Sequence, residues 1–183
     1  MLQRTSGGDK TNGAAVRKDG VMKGTPMMRD TATTEGNKAN RKTVIRVLNE
    51  ALATEIICIL RYKRHYFMTA GISARHVKAK LLQHVTEERA HADRLVERIL
   101  QLGGKPELSA ERLLTRSHAE HIEGESLVEM IRADLLAERV AIEGYRDMIT
   151  FIGSNDPTTQ QVLERILAQE EAHAESLAGL LRE

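Results

Sequence analysis

Two stretches of this sequence break a helical apolar pattern in the same way. Glu88-Arg89-Ala90-His91 and Glu170-Glu171-Ala172-His173 repeat one Glu-x-x-His phrase, and a glutamate embedded in an apolar stripe precedes each, Glu55 by 33 residues and Glu138 by 32 residues. In helix A the row reads Leu48, Leu52, Glu55, Ile59, Tyr62; in helix B it reads Val85, Glu88, His91, Leu95. The rows Leu135, Glu138, Ile142 and Ile166, Glu170, His173, Leu177 repeat the interruption in helices C and D. An unpartnered ionised carboxylate costs several kcal/mol to bury, so four glutamates at core-facing positions require cations between them. Two divalent ions balance four carboxylates, and two neutral imidazoles complete the ligand sets. Glu and His at i and i+3 project from one helix face, so both reach a single bimetallic site.

The rest of the pattern supplies the scaffold. Apolar residues recur at helical spacing from Thr43 to Ala70, with Gly71 just past the end. Ser73 is placed to cap helix B, and Gly103, Gly104 and Pro106 stop it. Ser126 with Glu129 predicts a capping box for helix C, which ends before Gly153, and Asp156-Pro157 opens helix D. Helices of about 25 residues are each roughly 37 Å long. The A–B and C–D links are short, so those pairs form antiparallel hairpins. The residues between B and C, Gly104 to Glu125, are enough to cross the bundle from end to end, and Ser109 to Ile122 can hold a short helix of its own. The halves also match in a second feature, a tyrosine seven residues after the first-helix glutamate: Glu55 to Tyr62 and Glu138 to Tyr145. The expectation is an all-α, antiparallel four-helix bundle with a long B–C crossover.

Composition narrows the class further. Three prolines, two Phe, three Tyr and no Trp fit a chain made mostly of helix and exclude a β sandwich or barrel. The single cysteine, Cys58, can neither form an intrachain bridge nor hold a rubredoxin-type iron, which predicts a reducing, cytoplasmic compartment. No run of about 18 uninterrupted apolar residues predicts a membrane span. Residues 1–42 carry nine basic and four acidic side chains, whereas the remainder carries 18 basic and 22 acidic ones. Residues 1–40 are therefore read as a flexible basic extension outside the fold, 41–183 as the bundle, and DNA as a partner the extension could contact. Met22, Met27 and Met28 in that extension show no common face, and are read as filler.

These motifs identify a resemblance. From Arg41 to Glu183 the chain resembles bacterioferritin and its Dps-like relatives in the ferritin superfamily, through Glu55, Tyr62 and His65, the run Glu88 to Leu100, Glu138, and Glu170 to His173. The resemblance implies that Glu55 and His91 are terminal ligands of one iron, that Glu138 and His173 are terminal on the other, and that Glu88 and Glu170 bridge the two. It implies a ferroxidase that oxidises Fe(II) with O2 or H2O2 and stores ferric mineral in a homo-oligomeric shell, with Mn or Zn as alternative occupants of the centre. Bacterioferritins place a haem-ligating Met after the helix B glutamate; here that position is Arg89, so no haem is expected. Ten residues follow His173, too few for the fifth C-terminal helix of 24-subunit shells, so a dodecamer is favoured over a 24-mer or a dimer. The same ligand set leaves open a peroxide-scavenging enzyme of the rubrerythrin or manganese catalase kind, and the basic extension leaves open a Dps-like protector of DNA. His118 and His121, with Glu120 and Glu123, are read as a solvated crossover face, Cys58 as a small buried hydrophobe, and His65 as a partly buried polar residue.

Overall fold

A computed structural model describes residues 35–71, 74–116 and 126–182. Five α-helices occur there: α1 Glu35–Met68, α2 Ala74–Gln101, α3 Ala110–Arg116, α4 Leu127–Ile152 and α5 Pro157–Leu180. The sequence reading had four long helices, a short one allowed in the crossover, and no fifth helix at the C-terminal end. The C-terminal helix is the fifth in chain order because Ala110–Arg116 is itself helical. Helix α1 also begins at Glu35, eight residues before the apolar stripe that predicted it. No proline interrupts that stretch, so a helix supported by packing further on extends beyond its buried part. Ser73, His118, Glu120, His121, Glu123, Met22, Met27, Met28 and most of the basic extension lie outside the described residues.

Two apolar clusters fill the bundle, one at each end. Leu48, Leu52, Leu95, Ile99, Ile152, Leu163 and Ile166 pack at one end. Val77, Leu81, Val85, Ile131, Leu135 and Leu177 pack at the other. Along α1 and α5 the chain passes from the first cluster to the second, whereas along α2 and α4 it passes from the second to the first. Helices α1 and α5 therefore run together, opposite to α2 and α4. The crossover must travel the length of the bundle, which is the one-crossover topology of ferritin-like bundles. Each fully buried Leu or Ile contributes about 1.5–3 kcal/mol, so the two clusters hold the helices without help from the polar band between them.

The connections are fixed by polar contacts at the ends. Gly104 lies so close to α1 that a Cβ there would sit 2.7 Å from Ile45 Cγ2, so only glycine lets the crossover begin. Buried Asn49 then fastens the crossover, its Nδ2 donating to Lys105 O at 3.3 Å and its Oδ1 accepting from Glu107 N at 2.7 Å. Ser126 and Glu129 form the expected capping box at the start of α4. Asp156 caps α5 through Thr159 N at 3.0 Å and accepts both its ion-pair contacts from Arg98 Nη2, at 2.8 and 2.9 Å, which ties the end of α2 to the start of α5.

Replacing Asp156 removes a cap and a charge-assisted pair together. Asp156→Ala is expected to lower stability by about 1–3 kcal/mol in urea denaturation, with helix content at zero denaturant unchanged. Burial raises the Asp156 carboxyl, but hydrogen bonds from Thr159 and Arg98 outweigh it and hold it below the usual carboxylate range. That contribution is present above the carboxyl's unfolded value and fades as the pH falls through the folded one.

Candidate metal centre

The two apolar clusters leave a band at mid-bundle, and all six sequence-selected side chains meet in it. Glu55 comes from α1, Glu88 and His91 from α2, Glu138 from α4, and Glu170 and His173 from α5. None is more than 3 % exposed. They fall into two overlapping sets. Ligand-type atoms of Glu55, Glu88, His91 and Glu170 lie within 4.8 Å of one another, as do those of Glu88, Glu138, Glu170 and His173. Glu88 and Glu170 belong to both sets, so they stand between the other four.

Each histidine presents Nδ1 to the interior and Nε2 outward. His91 Nδ1 lies 2.9 Å from Glu170 Oε1 and 3.3 Å from Glu55 Oε2. His91 Nε2 lies 3.1 Å from Gln169 Oε1, which also accepts from Arg94 Nη1 at 2.8 Å. His173 Nδ1 lies 3.2 Å from Glu88 Oε1 and 3.4 Å from Glu170 Oε2, while its Nε2 lies 2.8 Å from Glu87 Oε2. An outer acceptor on each ring favours the tautomer whose Nδ1 lone pair points inward. Tyr62 and Tyr145 complete the surround: the Tyr145 hydroxyl donates to Glu55, and the Tyr62 hydroxyl donates to Glu138. The spacing of seven seen within each helix thus acts between helices. Because α1 and α4 are antiparallel, the tyrosine two turns beyond one glutamate arrives level with the other.

Several inner atoms have no hydrogen-bond partner among the described residues: Glu88 Oε1, Glu138 Oε2, both oxygens of Glu170, and His173 Nδ1. Such orphaned buried acceptors, with carboxylate and imidazole donors together, fit a pair of divalent transition-metal ions. Without metal, protons balance the charge. Burial, reinforced by the other carboxylates, pushes Glu55 and Glu138 well above the ordinary carboxylate value and so favours their protonated forms. Burial also opposes ionisation of Glu88 and Glu170, yet the imidazoles of His173 and His91 beside them hold both below the ordinary carboxylate value. Burial would lower the imidazoles, but their carboxylate partners, Glu170 foremost, carry His91 up to about 12 and His173 up to about 10.

Four other polar side chains escaped the sequence reading or were misjudged in it. His65 is fully buried rather than partly so, and its Nδ1 lies 2.9 Å from both oxygens of Asp134. Burial raises the Asp134 carboxyl, with His65 opposing the shift. Asp134 stands one turn before Glu138 in the same buried stripe, a signal that could have been read. His84, one turn before Glu88, stacks on His173 with ring centroids 4.3 Å apart, and Glu87 adjoins them. Cys58 is buried, as expected of a small hydrophobe. Burial and then Glu88, Glu138 and Glu55 push its thiol well above the usual value, which sets it beside the centre.

Fold and donor set together define a ferritin-type bundle with a buried carboxylate–imidazole centre. The chain belongs to the ferritin family: residues 45–183 match the Ferritin-like domain. It is 34 % identical over 140 residues to a bacterioferritin of Streptomyces coelicolor, covering 73 % of this chain and 77 % of that protein. A bacterioferritin of Desulfovibrio desulfuricans is 29 % identical over 140 residues, covering 75 % and 74 %. Among solved structures, the bacterioferritin-related protein of Bacteroides fragilis, described as a dodecameric thioferritin, is similar at a TM-score of 0.74 and 28 % identity, covering 78 % of this chain and 86 % of that one. Dps of Thermosynechococcus elongatus shares the fold at a TM-score of 0.75 and 20 % identity, covering 80 % and 94 %. Among the described residues no helix is long and apolar enough to cross a membrane.

Loading two divalent ions displaces the protons held by Glu55, Glu138, His91 and His173. About four protons per chain are expected to leave when Co(II) or Zn(II) is added anaerobically near neutral pH, and affinity should rise with pH. Indicator-dye release in weak buffer measures the number directly.

Proposed function

We propose that this protein is a cytoplasmic iron-storage and detoxification protein with ferroxidase activity, oxidising Fe(II) with O2 or H2O2 at a di-iron centre within each subunit. The observation that carries this reading is the sharing of Glu88 and Glu170 between two donor sets in one dry band. Glu55 and His91 would hold one iron and Glu138 and His173 the other, with Glu88 and Glu170 shared between them. Held side by side there, two Fe(II) ions would supply the two electrons that reduce O2 to H2O2, or H2O2 to water. The chain's own contribution is positional: Gln169 and Glu87 fix the imidazoles, Tyr145 and Tyr62 fix the terminal carboxylates, and the apolar clusters on either side exclude water. Carboxylate and imidazole donors suit Mn(II) and Zn(II) as well, so metal identity follows supply as much as affinity.

Homo-oligomerisation into a dodecameric shell completes the reading. It is supported by the dodecameric bacterioferritin-related protein of Bacteroides fragilis and by large exposed apolar side chains on the single chain, Phe67 at 73 % and Leu60 and Met68 at 58 %.

Glu88→Ala and His91→Ala are expected to keep the helical circular-dichroism signal, because the two apolar clusters are untouched, and to lose rapid Fe(II) oxidation by about a hundredfold or more. Stopped-flow absorbance of ferric products measures it, and wild-type rates in both variants would remove the assignment. Native mass spectrometry combined with metal analysis is expected to find a twelve-chain particle retaining iron beyond two ions per chain. A dimer with fast peroxide turnover would instead mark a scavenging enzyme.

A further inference from the structure

The face of the bundle between α1 and α4 opens inward in two stages. A groove of about 430 Å3 lies along it. Val140, Gly144 and Met148 line both this groove and a smaller cavity of about 10 Å3 behind it, which ends on Ala51, Ala141, Thr54 and Tyr145. That is room for one molecule of about the size of water or O2. The Tyr145 hydroxyl donates to Glu55, so the cavity stops one side chain short of the donor band. Thr54 Oγ1 donates to Glu50 O at 3.2 Å. With both hydroxyl protons engaged and the rest of the wall made of Ala, Val, Met and Gly, water finds few partners there, and a cavity of that kind stays dry and takes up apolar gases.

Gly144 is the single glycine of α4, and glycine is a poor helix former. Where packing demands a glycine inside a helix, a neighbour presses on it; here a Cβ would meet nothing within 4 Å. A chance gap between hairpins explains the void. It does not explain a glycine kept beside that void at a cost to the helix.

We propose that this groove and cavity form the passage by which O2 reaches the buried centre, arriving on the Glu55 side. The proposal rests on reading the six donors as a di-iron oxidation site, since O2 is the oxidant delivered. The walls select the occupant. The carboxylates of the groove, Glu50, Glu143 and Asp147, stop short of the cavity, whose wall holds no charged side chain among the described residues. An Fe(II) ion there would shed its water with no ligand to replace it. A neutral diatomic gives up little hydration on entering, and dispersion against the apolar wall is enough to hold it. H2O2, with two O–H groups to satisfy, suits instead the wider cleft of about 250 Å3 between α2 and α5, where Lys80, His84 and Glu87 are among the lining residues.

Gly144→Leu and Val140→Phe each fill the passage without touching a donor, and they test it in the full-length protein. Both variants are expected to bind two Co(II) per chain anaerobically with the wild-type visible spectrum. In stopped-flow absorbance, Fe(II) oxidation by O2 should slow about tenfold or more in both, through its dependence on O2 concentration, while oxidation by H2O2 stays within about twofold of wild type. Gly144→Ala should melt at a higher temperature than wild type and lose far less of the O2 rate, because a single methyl leaves most of the space open. Val140 is 38 % exposed, so Val140→Phe keeps the test decisive should Gly144→Leu fold poorly. In crystals of the metal-free protein pressurised with krypton, an apolar atom close to O2 in size, an anomalous peak is expected among Ala51, Ala141, Gly144 and Met148, and it should vanish in Gly144→Leu. Unchanged O2 rates in the filled variants, equal slowing with O2 and H2O2, or no krypton in the wild-type cavity would each overturn the passage while leaving the centre standing. Failure of wild type to bind two Co(II), or to oxidise Fe(II) with either oxidant, would overturn the underlying reading.

Discussion

Four carboxylates in a dry band must be neutralised, and the rest of the structure is arranged around that requirement. Burial favours the protonated forms of Glu55 and Glu138, and the carboxylates beside His91 and His173 favour the charged forms of those imidazoles. Protons can thus stand in for cations, so the chain can fold before any metal arrives. This differs from small metal-dependent domains, whose folding free energy comes from the ion itself. Here the apolar clusters at the two ends supply the stability, and the polar band between them is free to exchange protons for cations.

The residues that hold these donors lie one layer out. Gln169 and Glu87 face the outer nitrogens of the two histidines, and the hydroxyls of Tyr145 and Tyr62 donate to Glu55 and Glu138. Each of these four side chains is held by a residue from a different helix, so the four helices fix one another's side chains. The two hairpins are near copies, but their supports differ: a neutral amide backs His91, whereas a carboxylate and a second imidazole accompany His173. The asymmetry leaves one histidine beside an open cleft and the other behind Arg94 and Gln169.

Much of this was legible in the chain. The stripes of α1, α2, α4 and α5, the capping box at Ser126, and the Asp156-Pro157 start of α5 are local signals, and local hydrogen bonding and periodicity decide them. Glu55, Glu88, His91, Glu138, Glu170 and His173 stood out because each occupies a position that packing assigns to an apolar side chain, which makes a buried polar group visible without coordinates. His84 and Asp134 carried the same signal and were passed over, since neither repeats in the other half. Glu87 and Gln169 carried none, being polar residues at partly exposed positions whose role depends on what the neighbouring helix places opposite them.

Sequence alone therefore determined the helices, the crossover between hairpins and the identity of the buried polar band, because those follow from spacing along one chain direction. Only the tertiary structure decided that Tyr145 serves Glu55 and Tyr62 serves Glu138, that Glu88 and Glu170 stand between two donor sets, and that the cleft opens beside His173. These are relations between antiparallel helices, fixed by how far each is shifted along the bundle axis. That shift is set by the interlocking of side chains from all four helices at once, and no single helix encodes it.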